Sequence, residues 1–153
     1  MVEIREWQLD DVFQLRELLM HPYFLAKHKT KYLYPKTFFH TICIIKGYQK
    51  ANKKKYVIRA IMFHKVVCGF IQCEKKDAHS CEISYWLGHA YWNKGIMQKA
   101  VACMCQEAFQ RLQVMSIFAR VQTKNKASCN VLEKNHFHLE WEDERICIYR
   151  KFK

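Results

Sequence analysis

The spacing of apolar residues in the first third of the chain predicts one strand and two helices. The opening VEIREW segment is rich in strand-forming residues, whereas Leu9 to Met20 and Tyr34 to Gln49 carry apolar residues at helical spacing. The apolar face of the first helix is formed by Val12, Leu15, Leu18 and Leu19. The segment from Pro22 to Pro35 shows no clear period, so we assign it no element.

From Tyr56 onward the pattern changes to that of strands. The segments YVIRAIMF and VVCGFIQCE flank His64 and Lys65, which is typical of a tight antiparallel hairpin, and CEISYWLG predicts another strand. A helix follows, because a single apolar stripe runs at helical spacing. The residues of this stripe are Met97, Ala100, Val101, Met104, Cys105, Ala108 and Leu112. VMSIFARVQ predicts the next strand.

The last part of the chain predicts a short helix and a hairpin. Asn125 can cap a helix that runs to Lys134, because an Asn side chain accepts hydrogen bonds from the first helical turn. FHLEW and RICIYRKF then flank an acidic triplet that begins at Glu142. The order β-α-α-β-β-β-α-β-α-β-β predicts an α+β protein with helices packed on a mixed sheet. A length of 153 residues without a linker-like segment predicts a single domain over residues 1–153.

Composition narrows the class of protein. The chain is 50% hydrophobic and 14% aromatic, which excludes a disordered chain. No apolar run approaches the roughly 20 residues of a membrane span, and MVEIREWQLDD lacks the apolar region of a secretion signal. We therefore expect a soluble cytoplasmic protein. The cysteines form no CxxC pair and the histidines no spaced set, so we predict buried, reduced thiols and no metal site.

The net charge of +12 is concentrated in one stretch of the chain. No acidic residue occurs between Glu17 and Glu74. The basic residues of this stretch are Lys27, Lys29, Lys31, Lys36, Lys46, Lys50, Lys53, Lys54, Lys55, Arg59 and Lys65. Such a surface attracts nucleic acid, a phosphorylated cofactor or an acidic substrate, and it serves equally well as a solubilising surface.

The loop between the CEISYWLG strand and the apolar-striped helix is a candidate anion-binding site. It contains Trp92, Asn93, Lys94 and Gly95 immediately before the helix. A loop that enters a helix N-terminus presents unpaired N–H groups, and a glycine lets a phosphate approach the backbone. An ordinary strand-to-helix turn has the same pattern, so the loop alone leaves both interpretations open.

Two motifs on either side of VMSIFARV resemble those of a known family. EISYWLGHAYWNKGIMQKA resembles the acetyl-CoA-binding motif of the GNAT acetyltransferases, in particular of the branch that acetylates the N-termini of ribosomal proteins. NKASCNVLEKNHF resembles the second signature of that branch. The resemblance is specific from Cys81 to Phe137 and extends from Tyr56 to the C-terminus. Over Met1 to Ala51 it is a matter of element order.

The resemblance implies a mixed, mostly antiparallel sheet flanked by helices and splayed between two central strands, Glu82–Leu87 and Met115–Val121. It places the pantetheine arm of acetyl-CoA along the backbone of Tyr85, Trp86 and Leu87. The amides implied to hold the pyrophosphate are those of Asn93, Lys94, Gly95, Ile96 and Met97, and Trp92 is implied to be a further cofactor-binding residue. Asn125 and Ser128 are implied to flank the cofactor from the other side.

Some positions depart from the family pattern. Trp92 stands where Gln or Arg is expected, and Met97 stands where a small residue is expected. Asn93 replaces a common glycine, and Asn is among the residues that best tolerate left-handed geometry. His136 occupies the place of a glycine that follows the short helix, so the chain must turn there without one. Leu132 replaces the tyrosine general acid of most members.

Acetyl transfer requires an unprotonated amine, so the resemblance directs attention to a base and to a donor for the leaving thiolate. Glu82 stands where the family often has a glutamate base, and the alternative is a carboxylate that pairs with a lysine. Ser128 stands where this branch has a candidate hydroxyl donor, and the alternative is a serine that bonds the local backbone. Cys129 is adjacent, but the direct transfer of the family needs no acyl-cysteine.

The implied function is an acetyl-CoA-dependent N-acetyltransferase that acts on a primary amine, either a protein N-terminus or a small molecule, by direct attack. One alternative is a GNAT-like protein that binds CoA or a polyanion with weak or no catalysis, and a nucleic-acid-binding module is another. In this family the segment before the hairpin lines the side of the active site that binds the acceptor. Its positive charge therefore predicts an acidic acceptor or an acidic protein context. We expect a monomer or homodimer that requires neither a membrane nor nucleic acid.

Overall fold

The computed structural model describes residues 1–27 and 37–153, which form a seven-stranded sheet with helices on both faces. The strands are β1 (Val2–Arg5), β2 (Tyr56–Phe63), β3 (Val66–Lys75), β4 (Ser80–Leu87), β5 (Ser116–Gln122), β6 (His138–Glu142) and β7 (Ile146–Phe152). The helices are α1 (Val12–Met20), α2 (Pro22–Lys27), α3 (Phe38–Lys50), α4 (Ile96–Leu112) and α5 (Lys126–Lys134). Short 3₁₀ turns occupy Leu9–Asp11 and His89–Tyr91. The predicted α+β class is confirmed.

Helix α2 was not predicted from the sequence pattern. It begins at Pro22, whose fixed φ suits the first helical position, and its 6 residues are too few to show a helical period. Helix α3 begins at Phe38 after a capping residue, because the Thr37 Oγ1 accepts a hydrogen bond from the His40 N–H at 3.3 Å. The part of the helix prediction that covers residues 34–36 lies outside the described residues.

The strands are arranged in the order β1-β2-β3-β4-β5-β7-β6. Adjacent strands are antiparallel except β4 and β5, which are parallel. The β2–β3 hairpin turns at His64 and Lys65, whose φ angles of 49° and 66° are those of a two-residue type I′ turn. The structure therefore confirms both the mixed, mostly antiparallel sheet and the tight hairpin.

The sheet opens between β4 and β5. The two strands pair over three residues, with Ser80 opposite Ser116 and Glu82 opposite Phe118. Beyond Glu82, β4 continues to Leu87 in register with β3, while β5 continues to Gln122 in register with β7. One edge of each strand is therefore left without a strand partner, and the predicted splay is confirmed.

The alternation of the backbone determines which groups of β4 face this opening. The Ser80 carbonyl accepts from the Lys76 N–H on the β3 side at 3.0 Å, and the Gly88 N–H donates to the Cys68 carbonyl of β3 at 2.8 Å. Residues of even number in β4 therefore direct their N–H and C=O groups toward β3. Tyr85 and Leu87 have the opposite parity, so their backbone groups face the opening.

Two apolar clusters hold the layers together. The larger packs α4 against one face of the sheet and includes the fully buried Ile71, Met104 and Ile117. The smaller packs α1 and α3 against the other face around Leu15 and Ile45. In the part of the chain that the structure describes, no helix combines the length and the apolar character needed to span a membrane.

A buried ion pair joins β2 to α4. Arg59 is 8% exposed, and its Nε lies 3.1 Å from both carboxylate oxygens of Glu107. The Arg59 Nη2 also bonds that carboxylate, and the Arg111 Nε lies 2.6 Å from it. One carboxylate of α4 thus contacts two guanidinium groups, of which the Arg59 group is almost completely removed from water. The Arg59 Nη1 also lies 3.9 Å from the exposed carboxylate of Glu6.

The cysteines, all of which lie in the described ranges, carry free thiols. The six buried ones are Cys68, Cys73, Cys81, Cys105, Cys129 and Cys147, as predicted. Cys43 and Cys103 are exposed, so the prediction of buried thiols is wrong for these two. Within residues 1–27 and 37–153, no three His, Cys, Asp or Glu side chains are grouped so that they could hold a metal ion.

Candidate active site

A cavity of about 720 Å³ lies at the open end of the sheet. It is bounded by the end of β4, the loop before α4, helix α5 and residues of α1 and α2. The predicted site residues that line it are Tyr85, Trp86, Leu87, Trp92, Asn93, Lys94, Gly95, Ile96, Met97, Asn125 and Ser128. Of the predicted site, Glu82 alone does not line this cavity. Two smaller cavities, of about 260 and 390 Å³, lie elsewhere.

The loop before α4 has the backbone geometry of an anion-binding turn. Asn93 and Gly95 both have left-handed φ angles, of 58° and 70°. Gly95 is the N-terminal capping residue of the 17-residue helix α4, and no side chain caps the helix at this end. The first amides of α4 therefore have no intrahelical acceptor, and they lie at the positive end of the helix dipole. This arrangement fits the pyrophosphate of a nucleotide cofactor.

Trp92 fastens the loop to the end of β4. Its indole Nε1–H donates to the Leu87 carbonyl at 2.9 Å, and its ring packs edge-on against Tyr23 and His89 at 5.6 and 4.8 Å between centroids. The Leu87 carbonyl is therefore already engaged. Three backbone groups of these two residues remain to face the opening: the Tyr85 N–H, the Tyr85 C=O and the Leu87 N–H.

The backbone of Trp86 does not face the opening, in contrast to the expectation that it would hold the pantetheine arm. Its N–H and C=O belong to the set that is directed toward β3, because the β3–β4 register is continuous from Gly69 to Lys75. Its indole instead packs against Phe24 and Phe70, with ring centroids 4.8 and 6.2 Å away. Trp86 therefore contributes a side-chain wall to the cavity.

Helix α5 forms the opposite wall of the opening. Asn125 caps it as predicted, since its Oδ1 accepts from the Ser128 N–H at 3.3 Å. The Ser128 Oγ lies 2.8 Å from the Tyr85 hydroxyl across the opening, and burial raises the pKa of Tyr85 to about 12. Leu132, one turn further along α5, is fully buried in the core.

The turn after α5 is made without a glycine. His136 adopts the left-handed conformation there, with a φ of 63°. Asn135 helps to hold this turn, because its Nδ2 donates to the Gln98 carbonyl of α4 at 3.1 Å. The expected departure from the family pattern at His136 is therefore accommodated by the backbone, and the turn is tied to the helix that follows the anion-binding loop.

Glu82 lies at the closed end of the opening. Its carboxylate is 3.2 Å from the Lys76 Nζ and 3.8 Å from the Arg120 Nε. The hydrogen bond to Glu74 raises the pKa of Lys76, and Glu82 adds to this effect, so Lys76 is a cation at neutral pH. This geometry corresponds to the alternative of an ion-paired carboxylate, and the role of Glu82 as a base stays a prediction.

We expect Glu82→Gln to lower kcat by less than about tenfold, because an amine bound in the cavity would not contact this carboxylate. A general base contributes roughly 10²–10⁴-fold. Steady-state kinetics between pH 6 and 9 distinguish the two cases, with Glu140→Gln as the control for loss of an exposed ion pair. A loss above 10²-fold that shrinks with rising pH would restore Glu82 as the base.

The described lysines from Lys46 to Lys65 do not line the cavity. Lys53 is 3.7 Å from Glu6 and Lys55 is 3.4 Å from Glu74, both at the end of the sheet remote from Leu87. Lys46, Lys50, Lys54 and Lys65 are also absent from the cavity lining. Residues 28–36 lie outside the described residues. The described lysines of the basic stretch therefore give the predicted acidic acceptor no direct support.

The sequence pattern missed one wall of the cavity. His21, Tyr23 and Phe24 come from α2 or the residue before it, and the Tyr23 ring stacks on His89 at 4.0 Å between centroids. A helix as short as α2 leaves no periodic signal. The dense aromatic and histidine content of HPYF is the one feature of the sequence that could have indicated a contact surface.

Comparisons with known proteins agree with this geometry. Residues 2–138 match the sequence model of the acetyltransferase (GNAT) domain family. A probable N-acetyltransferase of Bacillus subtilis, YjcK, is 37% identical over 42% of this chain and 42% of its own length. An uncharacterized N-acetyltransferase of Bacillus licheniformis, p20, is 32% identical over 48% of this chain and 40% of its own. The matched part therefore spans less than half of each relative.

Solved structures share the whole fold at low sequence identity. A GNAT-family acetyltransferase from Bacillus anthracis superposes with a TM-score of 0.80 at 19% identity, over 99% of this chain and 94% of that one. The ribosomal L7/L12 acetyltransferase RimL in complex with CoA gives 0.81 at 17%, over 99% and 93%. The microcin C7 self-immunity acetyltransferase MccE, in complex with acetyl-CoA and AMP, gives 0.84 at 19%, over 99% and 92%. The chain belongs to the GNAT acetyltransferase family.

Proposed function

We propose that this protein is an acetyl-CoA-dependent N-acetyltransferase that transfers the acetyl group to a primary amine by direct attack. The observation that carries the proposal is that one continuous cavity joins the unpaired edge of β4 to the uncapped N-terminus of α4. A long cofactor with a diphosphate at one end and amides along its arm needs both features side by side. We further propose that residues 1–153 act as one domain, because one seven-stranded sheet contains strands from both ends of the chain.

The roles of the residues follow from the groups that they present to the cavity. The amides of Gly95, Ile96 and Met97 supply hydrogen-bond donors and the helix dipole for the pyrophosphate. The N–H groups of Tyr85 and Leu87 supply donors for the pantetheine carbonyls and for the oxyanion that develops on the thioester. The acetyl group is carried by the cofactor, and the protein orients it between β4 and α5.

A second candidate function is binding of CoA without acetyl transfer. Two observations favour it: Leu132 places no hydroxyl at the opening, and Glu82 lies outside the cavity lining. The two candidates differ in one outcome, because both predict tight binding of CoA and only the first predicts an acetylated product. A primary amine with a pKa near 8 is about one-tenth unprotonated at pH 7, so slow transfer can proceed without a strong base.

Binding of acetyl-CoA should stabilise the fold. At a hundredfold excess over the dissociation constant, a ligand that binds the native state alone contributes about 2.7 kcal/mol. For a chain of this size, that corresponds to a rise of about 5–10 °C in the melting temperature. Thermal unfolding with acetyl-CoA, with inorganic pyrophosphate and with no ligand tests this. A melting temperature that acetyl-CoA leaves unchanged would remove the cofactor from the proposal, and an equal rise with pyrophosphate would indicate general polyanion binding.

Transfer itself should be followed by mass spectrometry of the acceptor. A thiol reagent would also react with the exposed Cys43 and Cys103, so release of CoA is a poor signal for this chain. The acceptor panel contains peptides with acidic and basic N-terminal sequences, an anionic small amine and spermidine. We propose a protein N-terminus or an anionic amine as the acceptor, on the charge of the sequence, and spermidine as the best substrate would contradict this choice. Binding without any acetylated product would favour the second candidate function.

A further inference from the structure

Two hydroxyl groups meet across the opening of the sheet. The Tyr85 hydroxyl from β4 and the Ser128 Oγ from α5 lie 2.8 Å apart, and both residues line the cavity. The Tyr85 side chain packs against the larger apolar cluster, so its hydroxyl is held at a fixed place in the opening. This hydrogen bond connects the two walls between which the reacting thioester would lie.

The chemistry of the two groups determines the direction of this hydrogen bond. A phenol is a stronger donor than an aliphatic alcohol, and the Tyr85 phenol keeps its proton because burial raises its pKa to about 12. The 2.8 Å contact allows either hydroxyl to donate, and the more acidic phenol of Tyr85 is the favoured donor to the Ser128 oxygen. The Ser128 hydrogen then has no role in this contact and is free to be directed into the cavity.

The backbone of Ser128 is held independently of its hydroxyl. Its N–H donates to the Asn125 Oδ1 at 3.3 Å, at the N-terminal cap of α5. Removal of the Tyr85 hydroxyl should therefore leave the helix in place and release only the rotation of the Ser128 side chain. The hydroxyl pair can thus be tested without removal of the helix cap.

We propose that Tyr85 is a positioning residue that holds the Ser128 hydroxyl toward the sulfur of the leaving CoA thiolate; this inference rests on the proposed function. In the step concerned, the amine nitrogen forms a bond to the acetyl carbon, the carbon–sulfur bond breaks, and its electron pair goes to sulfur. Ser128 donates a hydrogen bond to that sulfur. The proton of the amine goes to solvent. The hydroxyl pair loses none, since a thiolate whose conjugate acid has a pKa near 8.5 is a far weaker base than a phenolate or an alkoxide.

The test is a double-mutant cycle with Tyr85→Phe and Ser128→Ala. We expect Tyr85→Phe to lower kcat by about tenfold with the KM for acetyl-CoA unchanged, because one oriented hydrogen bond contributes about 1.4 kcal/mol. We expect the double variant to be no slower than Ser128→Ala, because Tyr85 acts through Ser128. Full additivity of the two losses would overturn the proposal.

Tyr149→Phe is a matched control. The Tyr149 hydroxyl donates to the Glu133 Oε1 at 2.8 Å, so it also ties a strand to α5, but Tyr149 does not line the cavity. We expect Tyr149→Phe to leave kcat unchanged. An equal loss in Tyr149→Phe would show that the tyrosines only fasten the helix, and would overturn the proposal.

A second variant keeps the inference testable if Tyr85→Phe folds poorly. Ser128→Thr retains a hydroxyl, so it should recover most of the activity that Ser128→Ala loses. Activity of Ser128→Thr equal to that of Ser128→Ala would count against the role of the hydroxyl. A parent protein that binds acetyl-CoA but acetylates no amine would overturn the proposed function and this inference with it. An active parent with an unchanged Tyr85→Phe variant would overturn the inference alone.

Discussion

Replacing Gly95 with glutamate should abolish the thermal stabilisation by acetyl-CoA. Gly95 ends the anion-binding loop with a φ of 70°, and a Cβ added there would meet nothing within 4 Å. Because Gly95 lines the cavity, a side chain at this position would extend into the space that we propose for the diphosphate. Two unit charges about 4 Å apart near a protein surface interact by ~4 kcal/mol, which corresponds to a loss of roughly 10²–10³-fold in affinity. Thermal unfolding across an acetyl-CoA titration measures the effect.

Two control variants separate the charge from other effects at Gly95. Gly95→Gln introduces the same backbone strain and nearly the same volume without the charge, and it should retain more of the stabilisation than Gly95→Glu does. Gly47→Glu adds the same charge in α3, where a Cβ also meets nothing within 4 Å, and it should leave binding unchanged. Equal stabilisation of Gly95→Glu and the parent by acetyl-CoA would mean that the loop does not hold the phosphates.

Glu107→Gln should be among the most destabilising single substitutions of a charged residue in this protein. Its carboxylate neutralises Arg59, whose side chain is 10% exposed, and it also contacts Arg111. Loss of one partner from a buried ion pair costs about 3–5 kcal/mol, and we expect the lower end of this range, because the exposed Glu6 carboxylate still lies 3.9 Å from the Arg59 Nη1. The free energy of unfolding in urea, compared with that of the parent, gives the magnitude.

The matched control for this substitution is Glu140→Gln. Its partner Arg150 lies 2.8 Å away, but the two side chains are 45% and 23% exposed. A pair that remains in contact with water contributes about 0–1 kcal/mol, so this variant should unfold almost as the parent does. Similar decreases in the free energy of unfolding for Glu107→Gln and Glu140→Gln would show that burial of the Arg59–Glu107 pair adds nothing to the stability of the fold.

The sequence predicted those parts of the site whose contacts are local in the chain. The stripe that begins at Met97, the cap at Asn125 and the hairpin turn at His64 all depend on residues within a few positions of one another. The same holds for the left-handed conformation of Asn93, which its residue type tolerates. Local patterns of this kind predict the folded structure well, because tertiary packing stabilises the same backbone conformation that the local sequence favours.

Contacts between distant segments could not be predicted from the same patterns. The bond between Tyr85 and Ser128 depends on the angle at which β4 and β5 separate, and no residue spacing records that angle. One of the two ion pairs of Glu82 is with Arg120, which the parallel pairing of β4 with β5 brings alongside. The predicted use of Lys53 to Lys55 at the acceptor side finds no support for a related reason, since a charge count along the chain does not say at which end of a sheet the charges lie.

The three-residue contact between β4 and β5 has a consequence for how the protein can respond to a bulky ligand. Strands β1 to β4 form one ladder of hydrogen bonds and β5 to β7 form another, while few backbone bonds join the two. The sheet therefore consists of two hydrogen-bonded halves that are joined by only three residue pairs. Separation of the two halves at this contact would break fewer backbone hydrogen bonds than local unfolding of either half. The apolar cluster around Ile71, Met104 and Ile117 includes residues of both halves, so side-chain packing, more than backbone pairing, determines how far the cleft can widen.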